Sequence, residues 1–409
     1  MVEGRNTQVP MRSTNILGLA VCLWTAGPIC AAQSTPANQS PSWSQEIVPD
    51  LSRARPGVAP DLFGSSNRAG VAFLDDEQLI VYAVEPTGLF SSRQSPEISS
   101  AFRLRVSLLD AKSGKQVMTK DWGTRPHDSA VQITSGGVLV KTGAIVKLYS
   151  TDFAQSRELP FALDPNGSYF TSVSASGKTI AISHYLKRGH NWISHIDVLD
   201  ANTLKIRASW DQDPPLFHLS MSDERFATTG IGNGIVSLTD FGSTGHSKVV
   251  ALVAALKQGC AASGIGPKMV SDESIVFRDC KEVLLLNASG VSSALEAFDG
   301  NGSASAASAQ CGIYMPASDR TAVASGAPLV AVSLPAIKVK KHLLTEPNVC
   351  LTGLQVAVYD LSRKRRVLTA NIDPLPKNDF DFALSPDGSK LAVVNDHRVS
   401  LYSVAGLIG

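Results

Sequence analysis

Charge is scarce in this chain. Asp, Glu, Lys and Arg make up 18% of its 409 residues and balance to a formal net charge of +1. Such a surface lacks the field that draws proteins onto a phosphate backbone, so nucleic acid is not an expected partner. Signatures of catalysis are missing too. There is no Gly-x-Ser-x-Gly elbow, hence no appended α/β-hydrolase domain. Neither His-Glu-x-x-His nor Cys-x-x-Cys occurs, which removes the strong zinc patterns, and no cofactor motif stands out. Gly177-Lys178-Thr179 ends like a phosphate loop, but Ser172 stands where that loop needs its first glycine, and the triplet lies in a strand-to-strand turn. Nor is there an apolar run fit to span a bilayer. Pro28 interrupts the nearest, Ile16 to Ala26, short of the roughly 18 residues required.

What is present is apolar material in short pieces. Hydrophobic residues reach 44%, enough for a large core and too much for a disordered chain. Arg5 and Arg12 precede the apolar Ile16–Ala26 piece, and Cys30-Ala31-Ala32 supplies small residues before Gln33. This is the pattern of a secretory signal peptide over residues 1–32, with Met11 as an alternative start that leaves the same segment. Losing Arg5, Arg12 and Glu3 leaves the remainder formally neutral. Residues 33–41 (QSTPANQSP) form a polar tether, and residues 42–406 are expected to fold as one domain of an exported monomer, periplasmic or extracellular.

Four cysteines follow the leader: Cys260, Cys280, Cys311 and Cys350. An even count in an exported chain points to disulfides, with three connectivities open. Pairing Cys260 with Cys280 and Cys311 with Cys350 keeps each bridge within one repeat; four buried thiols are the alternative.

Polar turns followed at once by apolar runs set the rhythm of the chain. They fall at Asp75-Asp76-Glu77, Ser135-Gly136-Gly137, Ser174-Ala175-Ser176-Gly177, Ser222-Asp223-Glu224, Ser271-Asp272-Glu273, Ala317-Ser318-Asp319 and Ser385-Pro386-Asp387-Gly388. Flanking runs such as Val71–Leu74 and Leu79–Tyr82 read as hairpin strands. A second hairpin recurs downstream, where an alternating run ends in a short polar residue: Asp110, Ser150, Asp200, Asp240, Asn287, Asp360 and Ser403. An Asp or Asn there accepts hydrogen bonds from backbone N–H groups two or three residues on, so its recurrence is structural rather than catalytic. The spacings between these anchors are 40, 50, 40, 47, 73 and 43 residues. Four-stranded propeller blades repeat at about 40–45 residues, with insertions stretching the rest.

In the hairpins ending at these anchors and in Leu384-Ser385-Pro386-Asp387-Gly388-Ser389-Lys390-Leu391, the chain resembles WD40-like and YVTN-type β-propeller repeats over residues 65–405. The Trp-Asp pair that ends the third strand of WD40 repeats is absent. The fold expected is all-β, a seven-bladed propeller of four-stranded antiparallel blades, with six or eight blades as alternatives because the 73-residue gap has room for one more. Val399–Val404 reads as a third strand with no fourth after it, so an N-terminal strand from Trp43–Val48 is expected to close the ring. Glu85–Ser100 and Pro335–Val349 exceed what a hairpin needs, and Lys338, Lys340 and Lys341 make the second basic.

In a propeller the connections from each outer strand to the next inner strand converge on one mouth of the central channel. Here they hold Arg68, His127, Asp128, Asp164, Asp213, His218, Asp379 and Asp381, a set that could bind a cation or polar ligand on the axis; solvated turn residues are the plainer reading. His184, His190 and His195 cluster around a hairpin tip, where a non-ligand role is the plainer one. The repeats imply a binding or scaffold module for a protein or glycan partner. The alternative that the resemblance carries is a secreted propeller enzyme, lactonase-like or quinoprotein-dehydrogenase-like, with its site at the channel mouth.

Overall fold

A computed structural model describes residues 39–46, 69–86, 102–124, 129–143, 145–164, 169–189, 191–213, 219–229, 235–240, 247–252, 267–278, 282–287, 289, 292–297, 310–311, 321–340, 348–376 and 379–404. Its strands run in fours. After β1 (Trp43–Glu46), blade 1 comprises β2 (Ala69–Phe73), β3 (Gln78–Pro86), β4 (Phe102–Asp110) and β5 (Gln116–Thr124). Blade 2 holds β6 (Ser129–Thr134), β7 (Gly137–Thr142), β8 (Ile145–Tyr149) and β9 (Ser156–Glu158). Blade 3 holds β10 (Tyr169–Val173), β11 (Thr179–Arg188), β12 (Asn191–Asp200) and β13 (Ile206–Gln212). Blade 4 holds β14 (Ser220–Met221), β15 (Arg225–Thr229), β16 (Ile235–Asp240) and β17 (Ser247–Leu252). Blade 5 holds β18 (Lys268–Ser271), β19 (Ser274–Arg278), β20 (Glu282–Asn287) and β21 (Ser292–Ala297). An extra strand, β22 (Gln310–Cys311), precedes blade 6, which holds β23 (Thr321–Val323), β24 (Leu329–Lys340), β25 (Asn348–Asp360) and β26 (Arg365–Asn371). Blade 7 begins with β27 (Phe380–Leu384), β28 (Lys390–Asn395) and β29 (Arg398–Ser403), and β1 supplies its fourth strand.

The all-β reading holds among the described residues, and the sheets number seven. Each middle strand buries both faces, one against the preceding blade and one against the next. This is why Leu79-Ile80-Val81 and Val138-Leu139-Val140 are apolar throughout instead of alternating. Seven hydrophobic clusters result, one at every blade junction. Val71 and Leu79 meet Val394 and Leu401 between blades 1 and 7, Ile80 and Leu104 meet Val138 and Val140 between blades 1 and 2, and so around to Val356 and Phe382 between blades 6 and 7. Such a set exists only if the first and last blades touch.

The third strands β4, β8, β12, β16, β20, β25 and β29 end at or one residue before the seven polar anchors. Asp110 accepts from the Ser113 amide at 2.7 Å, Asp200 from Asn202 and Thr203, and Asp360 from Ser362 and Arg363. Hydrogen bonds from Ser113 and Thr203 hold the Asp110 and Asp200 carboxyls below the usual carboxylate range.

Two expectations need correction. The inner turn of blade 6 lies at 324–328, between β23 and β24, while Ala317-Ser318-Asp319 falls outside the described residues. Much of Pro335–Val349 is strand rather than loop. β24 and β25 stay paired from Leu329↔Asp360 to Lys340↔Asn348. Pro335 is tolerated because β23 pairs only with Val330–Val332, so among the described residues the Pro335 position faces no partner on that side. This long hairpin and β22 fill part of the 73-residue gap.

Closure is made by β1, antiparallel to β29 with Trp43 opposite Leu401 and Glu46 opposite Arg398. The strand also grips its neighbour. The Trp43 indole N–H donates to Ala111 O at 3.0 Å and the Gln45 side chain to Gly114 O at 2.6 Å, both in blade 1.

Candidate functional site

In an antiparallel four-stranded blade, the first-to-second and third-to-fourth turns share one side of the ring, here the turn face. The second-to-third hairpins and the links to the next blade share the other, the hairpin face. The predicted channel-mouth residues belong to the hairpin-face links. Arg68, His127, Asp128 and His218 lie outside the described residues. Of the rest, Asp379 and Asp381 are buried, 1% and 7% exposed. Asp381 Oδ2 accepts from the Val71 amide at 3.0 Å and Oδ1 from Phe382 at 2.9 Å, while Asp379 Oδ1 accepts from Ala69 at 3.3 Å. Gly70, between those amides, permits the approach: a Cβ there would stand 2.6 Å from Asp381 and 2.3 Å from Tyr82. The two carboxylates therefore clasp blade 7 to blade 1. Asp164 uses its backbone N–H and C=O on the Tyr169 hydroxyl. Asp213 is exposed, and its carbonyl accepts from the Gln212 side chain at 3.4 Å.

Similar clasps recur along the inner strands. Gln132 donates to Thr171 O at 3.1 Å, Ser172 to Leu219 O at 3.2 Å, and the Met269 amide to Ser220 Oγ at 2.8 Å. Lys268 in β18 is half-buried, and burial holds its ammonium below the ordinary lysine range.

On the turn face the polar turns bind one another. Asp387 N donates to Asp76 Oδ1 at 2.9 Å, Ser135 N to Gly177 O at 2.9 Å, Ser176 Oγ to Asp223 at 2.6 Å, Glu224 N to Asp272 at 3.1 Å and Gly326 N to Pro386 O at 2.8 Å. A cleft of about 480 Å³ opens here at the seam of blades 1 and 7, lined in part by Trp43, Asp76, Asp110 and Lys390. Two of its charged side chains are engaged: Lys390 Nζ donates to Asp76 O at 2.7 Å and Asp110 accepts from Ser113, while Glu77 and Lys112 stand exposed at its rim.

Two of the three histidines lie in the paired strands below the hairpin tip. His184 and His195 are opposite each other in β11 and β12, with ring centroids 5.1 Å apart, and His190 lies outside the described residues. They occupy the sheet face that packs on blade 2, as Ile182 and Leu199 do. His195 Nδ1 is 2.7 Å from Asp211 Oδ1, and its Nε2 is 3.3 Å from Ser209 Oγ. Hydroxyl, imidazole and carboxylate in that order could activate a nucleophile. Asp197 Oδ2, however, is 3.5 Å from the same Nε2 and competes for it. Arg188 meets Asp211 at 2.5 Å. The arrangement is a polar cluster that neutralises itself, and among the described residues no group of three or more His, Cys, Asp or Glu could hold a metal ion. His184 Nδ1 is buried without a partner, and burial, then His195, holds this ring below the usual histidine range. Sequence proximity signalled these histidines, and Asp197 follows from strand alternation; the contributions of Ser209 and Asp211 depend on the register of β12 with β13, which sequence spacing does not display.

The ring of seven four-stranded blades, closed by β1 on β29, is a seven-bladed β-propeller. No protein-family model and no curated protein matches the sequence. Among solved structures, the chain is similar to the Pan2 WD40 domain of Neurospora crassa at 14% identity and a TM-score of 0.45, over 83% of this chain and 90% of that one. It is similar at the same identity and TM-score to a chain of a mitotic checkpoint complex, over 90% of this chain and 96% of that one.

Proposed function

We propose that the protein is an exported propeller that serves as a binding or scaffold module, engaging a protein or glycan partner on its hairpin face. The observation that carries this reading is the contrast between the two faces. Turn-to-turn hydrogen bonds occupy the turn face, whereas the hairpins β3–β4, β11–β12 and β24–β25 are lengthened, the last to strands of 12 and 13 residues. Lengthening one face of a ring adds surface without disturbing the junction cores, and such surface is where recognition resides. Export rests on the leader pattern of residues 1–32. Among the described channel-mouth residues, the buried carboxylates Asp379 and Asp381 accept from backbone amides and clasp blades 7 and 1, which favours a structural over an axial catalytic role for these two.

Photo-crosslinking residues placed at Arg188 on the hairpin face and at Lys112 on the turn face, in the protein expressed in its own cells, test this. Adducts are expected from position 188 and not from 112. Equal adducts at both positions, or none at 188, reject it.

A further inference from the structure

Among the described residues, blade 3 has longer hairpin strands than blade 4. β11 runs to Arg188 and β12 starts at Asn191, whereas β15 stops at Thr229 and β16 begins at Ile235. Lower down, the blade 3 face turned to blade 4 is covered, with Ala181, Ile196 and Val198 packed on Met221 and Phe226. Strand alternation and register put Phe170, Tyr185, Lys187 and Trp192 on that same face above the covered part. Phe170 and Trp192 are 47% and 55% exposed. Tyr185 stands edge-on to Phe170, with centroids 5.5 Å apart at 68°. The other described tryptophans are spoken for: Trp43 and Trp122 donate to Ala111 O and Tyr149 Oη, and Trp210 stacks on Phe226 at 5.2 Å. Trp192 has no such partner among the described residues, and Lys187, opposite it in register and exposed, has no ion pair there. Arg188 points the other way, to Asp211.

Resting on the binding-module reading, we propose that this face binds a linear acidic glycan, a chain bearing uronic-acid carboxylates. Phe170, Tyr185 and Trp192 sit on three adjacent strands and form a diagonal row; two strand spacings and four residues of rise separate its ends by roughly 16 Å. A row of flat rings suits a linear polymer whose pyranose units present C–H faces to π-systems. Lys187 flanks that row opposite Trp192, a cation without an ion pair among the described residues, which favours an anionic ligand. A peptide adding as a strand would need a free edge, and the backbone groups of β11 and β12 are paired within the sheet.

Calorimetry with hexasaccharides of oligogalacturonate, oligoalginate and hyaluronan, each beside its carboxyl-reduced form, tests the proposal on the full exported protein. At least one acidic chain is expected to bind. Trp192→Ala should weaken it about tenfold or more, and Lys187→Gln should bring its affinity to that of the neutral form, while Lys112→Gln on the turn face changes neither. Because these side chains are exposed, melting curves should match the parent's and separate lost binding from lost fold. Absence of binding to every acidic chain, or binding that Trp192→Ala leaves intact, overturns the proposal. Adducts from position 188 without glycan binding would reject the glycan and keep the binding-module reading.

Discussion

His184 places a titratable ring where positive charge is unwelcome. The side chain is partly enclosed between blades 2 and 3, its Nδ1 has no partner, and His195 lies beside it; Asp197 and Asp211 offset this only in part. Its folded-state pKa is lowered, so the unfolded chain, titrating near the usual value of about 6.5, takes up protons first. Stability is therefore full above about pH 6.5 and declines as pH falls below it. The depressed Asp110 and Asp200 carboxyls act separately, since their contribution is lost only below the ordinary value of 3.8. Denaturant midpoints measured from pH 7 to pH 5 should fall, and His184→Gln should flatten that slope; an unchanged slope would show that the ring charges freely. At this scale the turn acceptors were legible because an Asp before a polar tetrad has few other uses. The left-handed residues of the same turns were not. Phe153 and Leu204 hold φ of 55° and 57°, where Gly114 would be expected in kind, because their side chains are buried at blade junctions.

Strand β1 is the element whose loss should cost most per residue. Trp43 both packs at the seam and donates to blade 1, so Trp43→Ala is expected to remove about 2–4 kcal/mol, read as a lower melting temperature. Unchanged melting would mean that the seam is held elsewhere. Blade 6 carries the second prediction. β22 lies antiparallel to β25 with Cys311 opposite Cys350, and opposed residues have Cα atoms about 4.5–5.5 Å apart, inside the range a disulfide spans. Peptide mapping of the protein without reductant should recover Cys311 linked to Cys350; both thiols alkylatable would end the idea. Cys260 and Cys280 lie outside the described residues. Closure by an N-terminal strand could be anticipated because a third-strand pattern near the C-terminus lacked a fourth. The extended strands of β24 and β25 could not, since Pro335 and the lysines read as loop.

Seven similar junctions make the molecule, and the seam of blades 7 and 1 differs in being held by chain ends rather than by a covalent link between consecutive blades. Asp381→Ala would leave the buried Val71 amide unpaired and should cost about 1–3 kcal/mol. Combined with Trp43→Ala, the loss in denaturant unfolding should be less than the sum, because both substitutions open one junction; strict additivity would show that the two contacts act independently. Seven blades could be read from seven anchors, with six or eight left open by the 73-residue gap that β22 and the long β24–β25 hairpin partly fill. Which face would carry recognition could not, because that depends on where strands of unequal length end in three dimensions.

The latch also sets an order of assembly. Ser44 meets Ser400 across 356 residues of sequence, so the earlier segment waits for the later one. Until then every copy exposes an unfinished edge and a spare strand that fits it, and at high concentration a neighbour's strand can take the vacancy, giving exchanged dimers whose rings are individually complete.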